Sequence, residues 1–135
     1  MKIITVTLNP AVDNTFFFKD FELGSVNRVR NSTRLASGKG VNVSKVLNTL
    51  GTKSIALGFL GGPHGEFISR RLCRKGIEGD FVKVSGNTRE NVKIVELETG
   101  RKTDVKRAGP TGQKEEIEAL KTRLEAHVNK EEVVV

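Results

Sequence analysis

Apolar and polar positions along the chain sort into short β-like runs and helical stripes that alternate. Ile3 to Leu8 is β-rich and almost unbroken by polar side chains, as expected of a strand covered on both faces, and Asn9-Pro10 ends it in a turn. Val43, Val46, Leu47 and Leu50 recur at i, i+3, i+4 and i+7, which predicts an amphipathic helix that starts within Gly38-Lys39-Gly40 and stops at Gly51. Ser54 to Leu60 reads as a second buried strand. Gly61-Gly62-Pro63 then turns the chain into a helix from His64 to Lys75, packed through Phe67, Ile68, Arg71 and Leu72 and closed by Gly76. Phe81 to Val84 gives a third strand. Val92 to Leu97 and Arg101 to Lys106 form a hairpin about Thr99-Gly100 whose second arm is polar enough to be half exposed. A helix over Lys114 to His127 has Ile117, Leu120 and Leu124 as its stripe and Glu115, Glu116 and Glu118 near its positive end.

Strands alternating with helices predict an α/β fold on a parallel sheet. The final run, Glu131-Glu132-Val133-Val134-Val135, reads as the start of another buried strand. A strand with no following partner leads us to expect that residues 1–135 are the N-terminal portion of a longer fold. Phe16, Phe17, Phe18 and Phe21 crowd one segment, followed by the polar, β-compatible run Val26 to Thr33. Successive side chains of a strand face opposite ways, so one face of the phenylalanine run needs cover. A strand buried in the main sheet and a strand in a separate small sheet both fit.

Composition narrows the functional classes. The 135 residues are 36% hydrophobic and 29% charged, and no apolar run approaches a membrane span. Met1-Lys2-Ile3-Ile4 lacks the pattern of a signal peptide, and a single cysteine, Cys73, forms no internal disulfide, so the cytoplasm is the expected compartment and no membrane partner is expected. Cys73, inside a helix, is expected to be a packed small side chain. His64, at a helix start, is expected to neighbour the cap. The net charge of +7 invites a nucleic-acid module, yet aromatics make up only 5% with no Trp or Tyr to stack bases, and solvated basic faces account for the excess.

The chemistry concentrates at Ala36-Ser37-Gly38-Lys39-Gly40-Val41-Asn42-Val43. A helix that begins among glycines turns its unpaired N–H groups and positive dipole end outward beside Lys39, which makes a small-anion site. Walker A fails, because Thr33 and Gly40 stand where it needs Gly and Ser or Thr; the dinucleotide fingerprint fails at Val43. A flexible turn with a solvated lysine would give the same local pattern. Asp13 follows a strand's carboxyl end, where open α/β sheets place ligands, though the local residues by themselves favour a turn carboxylate bonding its own backbone.

Four ordered blocks decide between these alternatives. Thr7-Leu8-Asn9-Pro10-Ala11-Val12-Asp13, Val26-Asn27-Arg28, Gly38-Lys39-Gly40-Val41-Asn42-Val43 and Thr88-Arg89-Glu90-Asn91 together resemble the phosphofructokinase-B branch of the ribokinase-like sugar kinases, in particular its 1-phosphofructokinase and tagatose-6-phosphate kinase types. Gly58-Phe59-Leu60-Gly61-Gly62 and Gly65 fit the family's second strand-to-helix turn. The resemblance implies a three-layer αβα fold with a mostly parallel central sheet and a small β-sheet lid, formed by about residues 14–35 and 88–108 and used by many members to dimerise. It implies ATP-dependent phosphorylation of a hexose phosphate, with ATP and Mg2+ as cofactors.

By the same resemblance Asp13 and Asn42 would bind sugar hydroxyls, with the backbone of Gly38 and Gly40 allowing close approach. Lys39 and Arg89 would grip the sugar phosphate, and Arg28 would be a further candidate for that anion. The family's catalytic aspartate, its adjoining Gly-rich anion hole and most of its ATP pocket belong to its C-terminal half; no Gly-Ala-Gly-Asp occurs here, so no catalytic, cofactor or metal residue is assigned. A truncated or non-catalytic sugar-phosphate-binding homologue is the competing expectation. Ser37 replaces the first of the family's two usual glycines before the lysine. It would either strain a positive-φ position by about 1 kcal/mol or cap the helix with its hydroxyl.

Overall fold

The computed structural model describes residues 2–128 and 132–135. In chain order its elements are β1 (Ile3–Thr7), β2 (Ala11–Phe18), β3 (Asn31–Ser37), α1 (Lys39–Thr49), β4 (Ser54–Leu60), α2 (Gly62–Arg74), β5 (Glu78–Lys83), β6 (Arg89–Glu96), β7 (Lys102–Val105), α3 (Lys114–His127) and β8 (Val133–Val134). They build two sheets, ordered β5-β4-β1-β8 and β3-β2-β6-β7. All pairings in the first are parallel, as the alternation of strands and helices requires. In the second, β2 pairs antiparallel with β3 and parallel with β6, and β6 pairs antiparallel with β7.

The period-two alternation of β4 explains the layering. Ala56 and Leu60 face one side, where they meet Val41 of α1 and Ile68 and Leu72 of α2. Ile55 and Leu57 face the other, where they meet Ile4, Val82 and Leu120 of α3. The parallel sheet is thus sandwiched between helices, an αβα arrangement, and the second sheet leans on it through Val12 and Ala36 in the first of these clusters. Truncating a side chain as enclosed as Leu57 or Ile68, both 0% exposed, to Ala costs about 2–5 kcal/mol.

β4 and α3 have the predicted bounds, and the hairpin forms as β6 and β7 with Val92 opposite Val105. Of the two placements open to the phenylalanine run, the separate small sheet is the one found: Phe16, Phe17 and Phe18 lie in β2 of the second sheet, with Phe21 beyond its end. Other expectations need correction. Residues 26–30 form no strand. The helix from Lys39 does not bury the predicted stripe: Val46 and Leu50 are exposed, and the buried residues are Gly40, Val41 and Ser44. α1 lies so close to β1 and β4 that small side chains line the contact. Ser44 Oγ is 2.7 Å from Thr5 Oγ1 and accepts from Ser54 Oγ at 3.0 Å.

Cys73 is exposed, not packed, because it follows Leu72 out of the buried face of α2. Arg71 is exposed as well, and Ile117 faces solvent on α3. β5 begins three residues before the predicted strand. The terminal strand forms as β8 on β1, but Val133 and Val134 are half exposed, since only one neighbour covers them; Glu131 lies outside the described residues.

Candidate functional site

The two sheets and the start of α1 enclose a cleft of about 610 Å³. One wall is the C-terminal end of β1 and the turn Leu8-Asn9; the floor is Ser37-Gly38-Lys39 with Asn42; the far wall is the face of the second sheet carrying Asp13, Thr15, Asn91 and Lys93. The β2–β6 register puts Asp13 directly beside Asn91, and the two side chains meet: Asn91 Nδ2 donates to Asp13 Oδ1 at 2.9 Å. Asp13 is therefore a strand residue of the second sheet, not a turn carboxylate.

The floor depends on backbone closeness. Gly38 caps α1 at φ +135°, and a Cβ there would sit 2.6 Å from Thr7 Cγ2. A Cβ on Gly40 would sit 2.5 Å from Thr7 Oγ1 and 2.8 Å from the Val6 carbonyl oxygen. The Val41 N–H donates to Thr7 Oγ1 at 2.9 Å, and the first helical hydrogen bond runs from Asn42 N–H to the Gly38 carbonyl at 2.8 Å. The N–H groups of Lys39 and Gly40 precede that bond and have no intrahelical acceptor, so the positive end of α1 opens on the cleft. Ser37 ends β3, paired with Ala11, and among the described residues no non-glycine adopts positive φ. Serine is thus unstrained there. Its hydroxyl does not cap α1, which has no side-chain cap.

Arg89 opens β6 and is held by carbonyls from two loops: Nη2 donates to Asn9 O at 3.1 Å and Nη1 to Arg107 O at 3.3 Å. Asn9 Nδ2 reaches Ala108 O at 2.9 Å, so the turn after β1 and the segment after β7 are stapled around this guanidinium. Arg89 Nε is buried and, among the described residues, unpartnered. A guanidinium has five N–H donors, and the two carbonyls leave others free.

Asp13, Gly38, Lys39, Asn42 and Arg89 thus line one cleft. Gly40 lies buried beneath the floor, and Arg28 is exposed on the loop joining β2 to β3, outside the lining. In that loop Asn27 has a structural part, accepting from Glu22 N–H at 2.9 Å and donating to Glu22 O at 2.8 Å. Residues that the sequence reading did not single out complete the cleft: Asn91, Lys93, Asp104 and Lys106. Asn91 stood inside a recognised block, but its bearing on Asp13 comes from strand pairing across 78 positions. Lys93 and Asp104 form a pair at 3.8 Å, leaving Lys39, Arg89 and Lys106 against Asp13. Positive charge predominates, next to a helix N-terminus and the neutral amides Asn9, Asn14, Asn42 and Asn91.

A pfkB-family carbohydrate kinase model matches residues 6–135. The chain belongs to the pfkB family of carbohydrate kinases. Among curated pfkB relatives it is 41% identical to a 1-phosphofructokinase of Borreliella burgdorferi over 98% of its own length and 43% of that protein's. It is 40% identical to a tagatose-6-phosphate kinase of Staphylococcus epidermidis over 90% of its own length and 39% of that protein's. It therefore spans well under half the length of these relatives. Phosphofructokinase-2 from Escherichia coli superposes with a TM-score of 0.93 over 99% of this chain and 43% of that one; at 20% identity this likeness shows the fold.

The described residues hold no group of three or more His, Cys, Asp or Glu placed to bind a metal ion. The cleft's donors suit hydroxyls and a phosphate, and its two carboxylates are already engaged with Asn91 and Lys93. They do not fit a Mg2+ site. No helix among the described residues is long and apolar enough to cross a membrane.

Proposed function

We propose that this chain is the sugar-phosphate-binding part of an ATP-dependent kinase acting on a hexose phosphate, of the 1-phosphofructokinase or tagatose-6-phosphate kinase type. The observation that carries the reading is the convergence of Asp13, Gly38, Lys39, Asn42 and Arg89 on one cleft although they come from three separate stretches of sequence. Asp13, oriented by Asn91, and Asn42 take the sugar hydroxyls. Lys39, Arg89 and the N-terminus of α1 take the phosphate already on the sugar, with a fork-like guanidinium suited to paired phosphate oxygens. The second sheet acts as the lid, and a second copy of the protein docks through it in the cytoplasm. The exposure of Leu23 and Val26 on the loop between β2 and β3 supports that docking.

Phosphoryl transfer to a hydroxyl depends chiefly on positioning and on electrostatic support of the moving group. The residues of this chain fix the sugar and its phosphate. No catalytic base is assigned among them, and no step through ATP or Mg2+ is derived from them. The chain alone accordingly binds hexose phosphate without turning over ATP; turnover by the isolated polypeptide in a coupled assay contradicts this. Arg89→Ala removes a charge-assisted contact of about 1.5–3 kcal/mol, so affinity for the hexose phosphate falls roughly ten- to a hundredfold. Unchanged affinity removes Arg89 from the site.

A further inference from the structure

A second concentration of positive charge lies on the other face of β3, away from the cleft. Arg34 stands opposite Asn14 in the β2–β3 register, on the face that carries Ala36 towards α2. From α2 come Arg70, Arg71 and Arg74, and with Pro63 and Phe67 these arginines border a hollow of about 280 Å³. The guanidinium carbons of Arg34 and Arg71 lie 4.3 and 5.0 Å from the centroid of the Phe67 ring. Stacking on an aromatic face fixes the plane of a guanidinium, so two of the four forks are ordered before any ligand arrives. An adjoining smaller hollow shares Arg34 and Arg71 and adds Lys45 and Lys75.

These cations are poorly compensated. Among the described residues the only carboxylate hydrogen-bonded or ion-paired to any of them is Glu66, which meets Arg70 at 3.0 Å. Lys45 lines the adjoining hollow beside Lys75. Burial first, and then the charge of Lys75, hold its ammonium below the usual lysine range against the opposing pull of Asp13, while its Nζ donates to Ala36 O at 2.7 Å. Like charges gathered in a concave, partly desolvated site favour an anion that answers several of them at once. The Phe67 ring is already engaged by two guanidiniums and is not free to stack on a base, which disfavours a single-stranded nucleic acid.

We propose that the hollow bordered by Arg34, Arg70, Arg71 and Arg74 binds a compact oligophosphate, either free pyrophosphate or the phosphate chain of a nucleotide. The site is separate from the cleft and stands whether or not the cleft takes a hexose phosphate. An anion bridging Arg34 to Arg71 would tie the second sheet to the helical layer three residues before Ser37, the edge of the cleft floor.

The test is calorimetric titration of the chain with pyrophosphate and, separately, with ATP, repeated on Arg34→Gln, Arg71→Gln and the cleft variant Lys39→Gln. The first two positions are exposed, so thermal melting without anion should match the parent protein. The expected result is one-site binding of pyrophosphate that weakens roughly tenfold or more in each arginine variant and stays within about twofold in Lys39→Gln. ATP binding at this site no more tightly than pyrophosphate identifies the phosphate chain alone as the ligand, and tighter ATP binding adds a nucleoside contribution; either supports the proposal. Absence of binding to both probes overturns it. So does binding lost in Lys39→Gln but kept in the arginine variants, and so does a single-stranded oligonucleotide that binds more tightly than either probe with a steep salt dependence.

Discussion

Replacing Gly40 by alanine separates two physical effects of opposite sign. By helix propensity alone the change stabilises, since alanine is favoured over glycine by about 0.8–1.0 kcal/mol inside a helix. The packing of α1 on β1 argues the reverse. The added Cβ would meet Thr7 Oγ1 at 2.5 Å and, at 2.8 and 3.0 Å, the carbonyl oxygen and carbon of Val6. The Val6 group is backbone in the central strand of the fold, paired on both sides, and cannot rotate away. The helix start must therefore lift, at an overpacking cost of about 1–3 kcal/mol. Lifting it stretches the buried bond from Val41 N–H to Thr7 Oγ1, worth about a further 1 kcal/mol. Set against the propensity gain, the net is a loss of about 1–3 kcal/mol. With a urea slope of about 2 kcal/mol/M the unfolding midpoint falls by about 0.5–1.5 M. The assay is urea unfolding followed by circular dichroism, with Gly51→Ala as comparison, where the Cβ meets nothing and only the φ of +76° is strained. A midpoint for Gly40→Ala equal to or above that of the parent protein refutes the close-approach account of the cleft floor.

Asn91→Ala leaves Asp13 without its orienting donor, and hexose-phosphate affinity should fall by roughly three- to tenfold with unfolding stability nearly unchanged; titration of the variant checks it. Asp80 on β5 accepts from Arg123 and, at 2.8 Å, from His127, both on α3. Burial pushes its carboxyl up, but the hydrogen bonds and charges of His127 and Arg123 outweigh that and hold it below the ordinary value of 3.8. A depressed carboxyl contributes stability above its unfolded pKa and loses it as pH falls through the folded one, so Asp80→Asn should flatten stability against pH below about pH 4. Equal acid sensitivity in variant and parent counts against the clasp. Exposed Cys73 should react with a maleimide in the folded protein as fast as in denaturant, to within about tenfold, whereas protection by several orders of magnitude would mean it is packed.

The sequence made some features legible and hid others for identifiable reasons. Strong apolar runs and glycine or proline punctuation located β4 and α3, because burial on both faces and helix stops leave local marks. The same pattern rule chose the wrong face of α1. It looks for large apolar side chains, whereas the contact with β1 is made by Gly40 and Ser44, residues whose smallness lets the backbones approach. Val46 and Leu50 then stand exposed. The sequence marks Asp13 as a candidate but puts it beyond a strand, since nothing local announces that β2 belongs to a second sheet. Its partner Asn91 is fixed by the parallel β2–β6 register, a long-range fact. Arg28 shares a block with Asn27, and the block's visible work in the fold is the hydrogen bonding of Asn27 to Glu22.

The central claim is that a phosphorylated hexose sits between the second sheet and the N-terminus of α1. It is tested most directly by nitrogen-15 amide shifts of the labelled chain titrated with fructose 1-phosphate, fructose 6-phosphate or tagatose 6-phosphate. The account predicts saturable shifts concentrated at Gly38 to Asn42, Asp13, Arg89 and Asn91 with at least one of the three, and much weaker ones with unphosphorylated fructose. Saturating shifts confined to other surfaces, or no response to any of the phosphates, would contradict it.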